Sequence, residues 1–192
     1  MTVAGESNGG VARSITDITY GGLSLISGSN ASDTGSGQQN VGIWYRDDLT
    51  GATGNDIQVT WSGNVNGTGF VAYSLNGTNP GIGATGGGDG TTATITTTAA
   101  DSLVIGAFVA NANPAATAEA PQTQTFAAGI GSAEAATGHQ FVSSIGPASA
   151  TFAGGGSRPV VAIAEFTAAP VPEPSVAIFG LLGLASLARR RR

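Results

Sequence analysis

No segment of the first 169 residues keeps its apolar side chains on the 3.6-residue period of a helix; short β-prone runs alternate instead with clusters of Gly, Asn, Asp and Thr. The runs fall at 12–19, 23–26, 41–46, 57–62, 70–75, 91–98, 103–110, 122–126, 140–144, 148–152 and 160–166. Turn chemistry separates them at Asn66-Gly67, Asn76-Gly77, Asp89-Gly90 and a glycine-rich loop over 83–90. So many short strands in one domain-sized body predict an all-β fold, an antiparallel two-sheet sandwich of jelly-roll-like type. Only residues 112–120 read as a helical turn or a long loop.

The two-residue period assigns faces. Ile57, Val59 and Trp61 share one side of their strand, so Trp61 is expected in the core. Runs 103–110 and 160–166 are apolar almost throughout and belong at the centre of a sheet. Run 91–98 sets Thr92, Thr94, Thr96 and Thr98 on one face, which should be solvated.

Charge narrows the function. Only 10% of residues are charged, Lys is absent, and the net charge is −5. A basic nucleic-acid-binding face is therefore excluded as a working principle. With no Cys, disulfides, thiolate metal ligands and thiol nucleophiles are excluded too. The distribution is uneven: residues 1–169 hold Arg13, Arg46 and Arg158 against eleven acids, and the chain ends in four consecutive Arg.

Between body and Arg cluster the chain changes character. Pro170, Pro172 and Pro174 keep residues 168–175 extended as a short stiff linker. Residues 175–188 carry no charge, and Val176, Ile178, Phe179, Leu181, Leu182, Leu184 and Leu187 leave no polar face. As a helix those fourteen residues span about 21 Å against a hydrocarbon core of about 30 Å, a short span that snorkelling Arg side chains and local thinning would accommodate. Arg189, Arg190, Arg191 and Arg192 would mark the cytoplasmic side, leaving the body outside. The expected organisation is a β-sandwich body over 1–167, a Pro-rich linker over 168–175, a transmembrane helix over 176–188 and a cytoplasmic cluster over 189–192.

Val171-Pro172-Glu173-Pro174-Ser175, an apolar segment and a terminal Arg block stand in one order and at one end of the chain. That arrangement resembles the PEP-CTERM sorting signal of Gram-negative bacteria. The resemblance covers residues 171–192 and leaves the body unassigned; Val176 departs from it, standing where the family often has Thr. It implies an exported protein, held transiently in the inner membrane and cut near Pro-Glu-Pro by an exosortase acting on it as a substrate. The body would then reach the outer surface or the extracellular matrix, in association with exopolysaccharide. Residues 1–13 are polar and Gly-rich rather than a secretory leader, so the reading frame is expected to start upstream of Met1.

The body offers little catalytic chemistry. His139 is the single histidine and reads as an ordinary surface residue; no Gly-x-Ser-x-Gly elbow occurs. A glycan hydrolase would need two carboxylates facing across a cleft, and no acid pair at strand spacing appears. No cofactor is expected. A Ca²⁺ loop is conceivable at Asn64-x-Asn66-Gly67-Thr68 beside Asp47-Asp48, or at Gly86–Gly90, but uncharged Asn and Thr fit a hydrogen-bonded turn better than a hard cation. The aromatic stock is Tyr20, Trp44, Tyr45, Trp61 and Tyr73. Trp44 and Tyr45 point oppositely along a strand, so one ring is expected outside, where with Asp47 and Asp48 it would form a saccharide-binding lip. The expectation is thus a non-enzymatic structural or adhesive body, with a carbohydrate-binding module as the alternative and a hydrolase behind both.

Overall fold

The computed structural model describes residues 1–7, 11–35, 38–111, 115–154 and 156–169. These residues form fifteen strands and no helix: β1 (Thr2–Ser7), β2 (Ile15–Tyr20), β3 (Leu23–Ser24), β4 (Ile26–Ser32), β5 (Gln39–Tyr45), β6 (Ile57–Trp61), β7 (Val65–Val71), β8 (Thr85–Asp89), β9 (Thr92–Thr96), β10 (Ser102–Asn111), β11 (Thr117–Ala118), β12 (Thr123–Ile130), β13 (Ala133–Val142), β14 (Pro147–Ala153) and β15 (Ser157–Phe166). Every strand pairing is antiparallel. The all-β class holds. The linker from 170 on, the apolar segment and the Arg cluster lie outside the described residues.

The strands make four sheets where two were expected: β4-β5-β1-β7, β12-β13-β10-β15-β8, β11-β14-β9 and β3-β2-β6. Three apolar layers lie between them. Ala4, Val41 and Ile43 of the first sheet meet Ile105, Ala107, Val160 and Ala162 of the second. The other face of that second sheet, through Phe108, Val161 and Ile163, packs on Ile95, Ala148, Ala150 and Phe152 of the third. Val3 and Trp44, on the outer face of the first sheet, meet Ile18, Val59 and Trp61 of the fourth. The central strands of the first two sheets, β1 and β5 in the first and β10 and β15 in the second, are therefore buried on both faces.

Small side chains make this stacking possible, because a glycine lets the next layer approach its backbone. A Cβ on Gly5 would stand 2.3 Å from the Trp61 ring, and one on Gly106 would stand 2.5 Å from the Ala150 Cβ. The expectation of two sheets rested on the number of short strands in one domain-sized body, and a strand count does not say how many faces of each sheet are covered.

Three local expectations change as well. Residues 2–7 lie in the polar, Gly-rich stretch where no strand was expected, yet β1 is central in its sheet and buried along its length, with Glu6 accepting from the Ser132 amide (2.9 Å) and hydroxyl (2.6 Å). The glycine-rich 83–90 loop contains β8, which pairs with β15 from Thr85↔Ala164 to Asp89↔Val160. Asn66-Gly67 is no turn but lies inside β7, where Gly67 pairs with Glu6. The threonine strand is as expected: Ala93 and Ile95 are buried while Thr92, Thr94 and Thr96 face water, and the Thr94 and Ser149 hydroxyls bond at 2.8 Å.

Candidate functional site

Where β1 begins and β5, β2 and β15 end, the layers leave a groove of about 580 Å³, within the range of small-ligand sites. Its apolar floor includes Leu25, Ile105 and Phe166, and residues 72–81 after β7 form one wall. Tyr20, Trp44, Tyr45 and Tyr73 all line it, so four of the five Trp and Tyr residues converge from three segments of chain. Two tyrosines are held by their hydroxyls: Tyr20 donates to Asn55 Oδ1 (3.0 Å) and Tyr73 to Thr137 Oγ1 (2.9 Å). The Met1 ammonium donates to the Trp44 carbonyl at 2.6 Å, and burial lowers its pKa to about 6.

The residues singled out from sequence separate here. Trp44 is only 6% exposed, wedged with Val3 and Ile18 between sheets, so its neighbour Tyr45, half-buried, is the ring that the groove presents. Asp47 lines the groove. Asp48 does not; the Thr50 hydroxyl and amide hold its carboxyl below the usual carboxylate range, the amide at 2.7 Å. Arg46 lines the groove but spends two donors on carbonyls, Nε to Asp48 (2.7 Å) and Nη1 to Ser24 (2.5 Å), which stiffens the loop after β5.

Asp47 is the one carboxylate among the lining residues, so the groove does not assemble the acid pair of a glycoside hydrolase. Among the described residues no group of three His, Asp or Glu side chains could hold a metal ion. The proposed Ca²⁺ loops lie largely in strands instead: Asn66 and Thr68 are in β7, Thr68 opposite Gly5 of β1 and Asn66 at the irregularity between Gly67 and Val65, and Gly86–Asp89 pair with β15. His139 lies inside β13, its Nδ1 3.0 Å from Thr125 Oγ1.

One polar site escaped the sequence. Glu165 is 0% exposed, on the β15 face that meets the third sheet, with no basic partner among the described residues. Its carboxylate accepts from the amides of Ala84 (2.9 Å), Thr98 (2.9 Å) and Ala99 (3.1 Å) and from the hydroxyls of Thr98 (2.9 Å) and Ser102 (2.8 Å). Burial pushes its pKa up, but these donors outweigh it and lower the value to about 2. The acid thus fastens the β9–β10 loop, where Asp101 sits at φ +54°, to the end of β15. Its signal in the sequence was only an acid inside an apolar run.

No protein-family model, curated protein or solved structure matches the chain.

Proposed function

We propose that this chain is an exported protein sorted by its C-terminal segment and serving at the cell surface or in the extracellular matrix without catalysis. In this reading residues 176–188 hold it in the inner membrane and Arg189–Arg192 stay on the cytoplasmic side. An exosortase then cuts near Val171-Pro172-Glu173-Pro174-Ser175. The freed body, with its two central sheets read as a jelly-roll-like sandwich, acts as a structural or adhesive partner of exopolysaccharide. The observation that supports this reading most is where the described fold closes. Ala168 bridges Thr78 and the Ala169 amide donates to the Gly77 carbonyl (2.8 Å), two residues ahead of Val171. A protease-like groove needs an extended, unpaired backbone, and the motif begins two residues after Ala169, the end of the described residues and itself tied to the body.

The test is transfer. Residues 168–192 fused to an unrelated exported reporter should confer membrane retention, and cleavage only in a strain with an exosortase. Secretion of the uncut fusion from such a strain would refute the reading.

The groove favours a second, compatible reading, saccharide binding. Three half-buried tyrosine rings offer stacking faces, while the Tyr45 hydroxyl and Asp47 carboxylate make no hydrogen bond to the described residues and are free for sugar hydroxyls. Titration with the producing strain's own polysaccharide, followed by Trp fluorescence, tests it.

A further inference from the structure

Six large hydrophobic side chains are exposed among the described residues, and four of them gather at one pole: Phe141 (79%), Ile145 (64%), Leu49 (51%) and Ile26 (49%). Scattered single hydrophobes are ordinary on a soluble surface; a cluster at one end is not. The register shows that they share that end. Phe141 stands opposite Leu103, which stands opposite Phe166 at the close of β15. Ile145 is in the β13–β14 connection, whose Gly146 carbonyl accepts from the Thr97 amide at the end of β9 (2.9 Å). Ile26 pairs with Tyr45, the last residue of β5, and Leu49 lines the groove.

The described residues also end at this pole. Ala169 is tied to Gly77 on the groove wall, and 23 residues, 170–192, follow it. Resting on the sorting reading above, we infer that this pole contacts the membrane surface before processing, with Phe141 and Ile145 as its main apolar contacts. Geometry supports the contact, since residues 170–175, fully extended, reach at most about 20 Å, so the body cannot stand far from a bilayer holding residues 176–188. The tether also raises the effective concentration of the pole at the interface, which lets a weak contact be occupied. Aromatic and branched apolar side chains at the headgroup level are what such an interface accepts.

Charge selects the kind of surface. Among the described residues Asp47, Asp48, Asp56 and Asp101 stand at this pole, next to the end of β5 and the starts of β6 and β10, against Arg46 and the part-buried Met1 ammonium. Two copies meeting pole to pole would bring both Asp groups together, and an anionic bilayer would meet the same repulsion. A zwitterionic lipid surface avoids both.

The chain has no Cys, so a spin label can be placed at one site at a time. Ser143→Cys marks the pole and Ser157→Cys the opposite one, where β15 begins. The full chain is reconstituted in phosphatidylcholine vesicles, and oxygen and nickel-chelate accessibilities are read by electron paramagnetic resonance. The expected result is a several-fold higher oxygen-to-nickel ratio at 143 than at 157. That difference should disappear in the Phe141→Ser, Ile145→Ser double variant, which still co-floats with vesicles and keeps its urea midpoint, and should shrink as phosphatidylglycerol replaces phosphatidylcholine. A water-like label at 143 on co-floating protein overturns this inference alone, as does spin–spin broadening at 143, which would reveal a second copy. Failure to co-float overturns both this inference and the sorting reading.

Discussion

Replacing Glu165 by Gln should unfold the body more readily than most single changes, and the size follows from its donors. One carboxylate oxygen serves the Thr98 and Ala99 amides and the Ser102 hydroxyl; the other serves the Ala84 and Thr98 amides and the Thr98 hydroxyl. A glutamine must turn its NH₂ toward one of these sets. A hydroxyl can rotate to accept from it, but a backbone N–H cannot, so Ala84 or Ala99 is left facing another donor in a buried site. Hydrogen bonds to a charged acceptor are worth about 1.5–3 kcal/mol each, and a buried unsatisfied donor costs about 1–3 kcal/mol, so the loss should be about 4 kcal/mol. Stability should also depend on acid. The folded carboxyl titrates at about 2 and the unfolded one at 4.5, so its contribution is complete above pH 4.5 and is lost as pH falls toward 2. That lowering is worth at most about 3 kcal/mol, because full burial works against the ionised form. Urea unfolding of both proteins, followed by Trp fluorescence at pH 7 and pH 3, gives the measurement. A Gln variant within about 1 kcal/mol of the parent at pH 7, or a gap between the two proteins that does not narrow at pH 3, would refute the reasoning.

Gly106→Val should cost about 3 kcal/mol in the same assay, because the added Cβ meets the Ala150 Cβ at 2.5 Å between two sheets that cannot both yield. Glu173→Ala should leave a correctly oriented but uncleaved membrane form, whereas neutral residues at 189–192 should give a mislocalised form; immunoblotting of fractionated cells with a C-terminal epitope tells them apart. If saccharides occupy the groove, Tyr45→Ala and Asp47→Asn should each weaken binding about ten-fold or more in titrations, while Asp48→Asn, outside the groove, leaves it unchanged.

Two strands with one face in water were placed by the sequence alone. Ile57–Trp61 and Thr92–Thr96 alternate because one side is solvated, and the long apolar runs in Ser102–Asn111 and Ser157–Phe166 could belong only to the middle of a sheet. The composition break at Pro170 and the terminal Arg block are likewise properties of the chain itself. Tertiary structure decided the rest. β1 (TVAGES) and β8 (TGGGD) are built of small and polar residues in which no apolar period marks a strand; neighbours supply their hydrogen bonds, and β1 is also covered on both faces. The same coverage converts a two-sheet expectation into four sheets. Tyr20, Tyr45 and Tyr73 become one groove, and Glu165 meets donors from residues 84 to 102, only through antiparallel pairing of distant segments. Such contacts depend on which layer closes over which, a cooperative outcome of packing that no local pattern records.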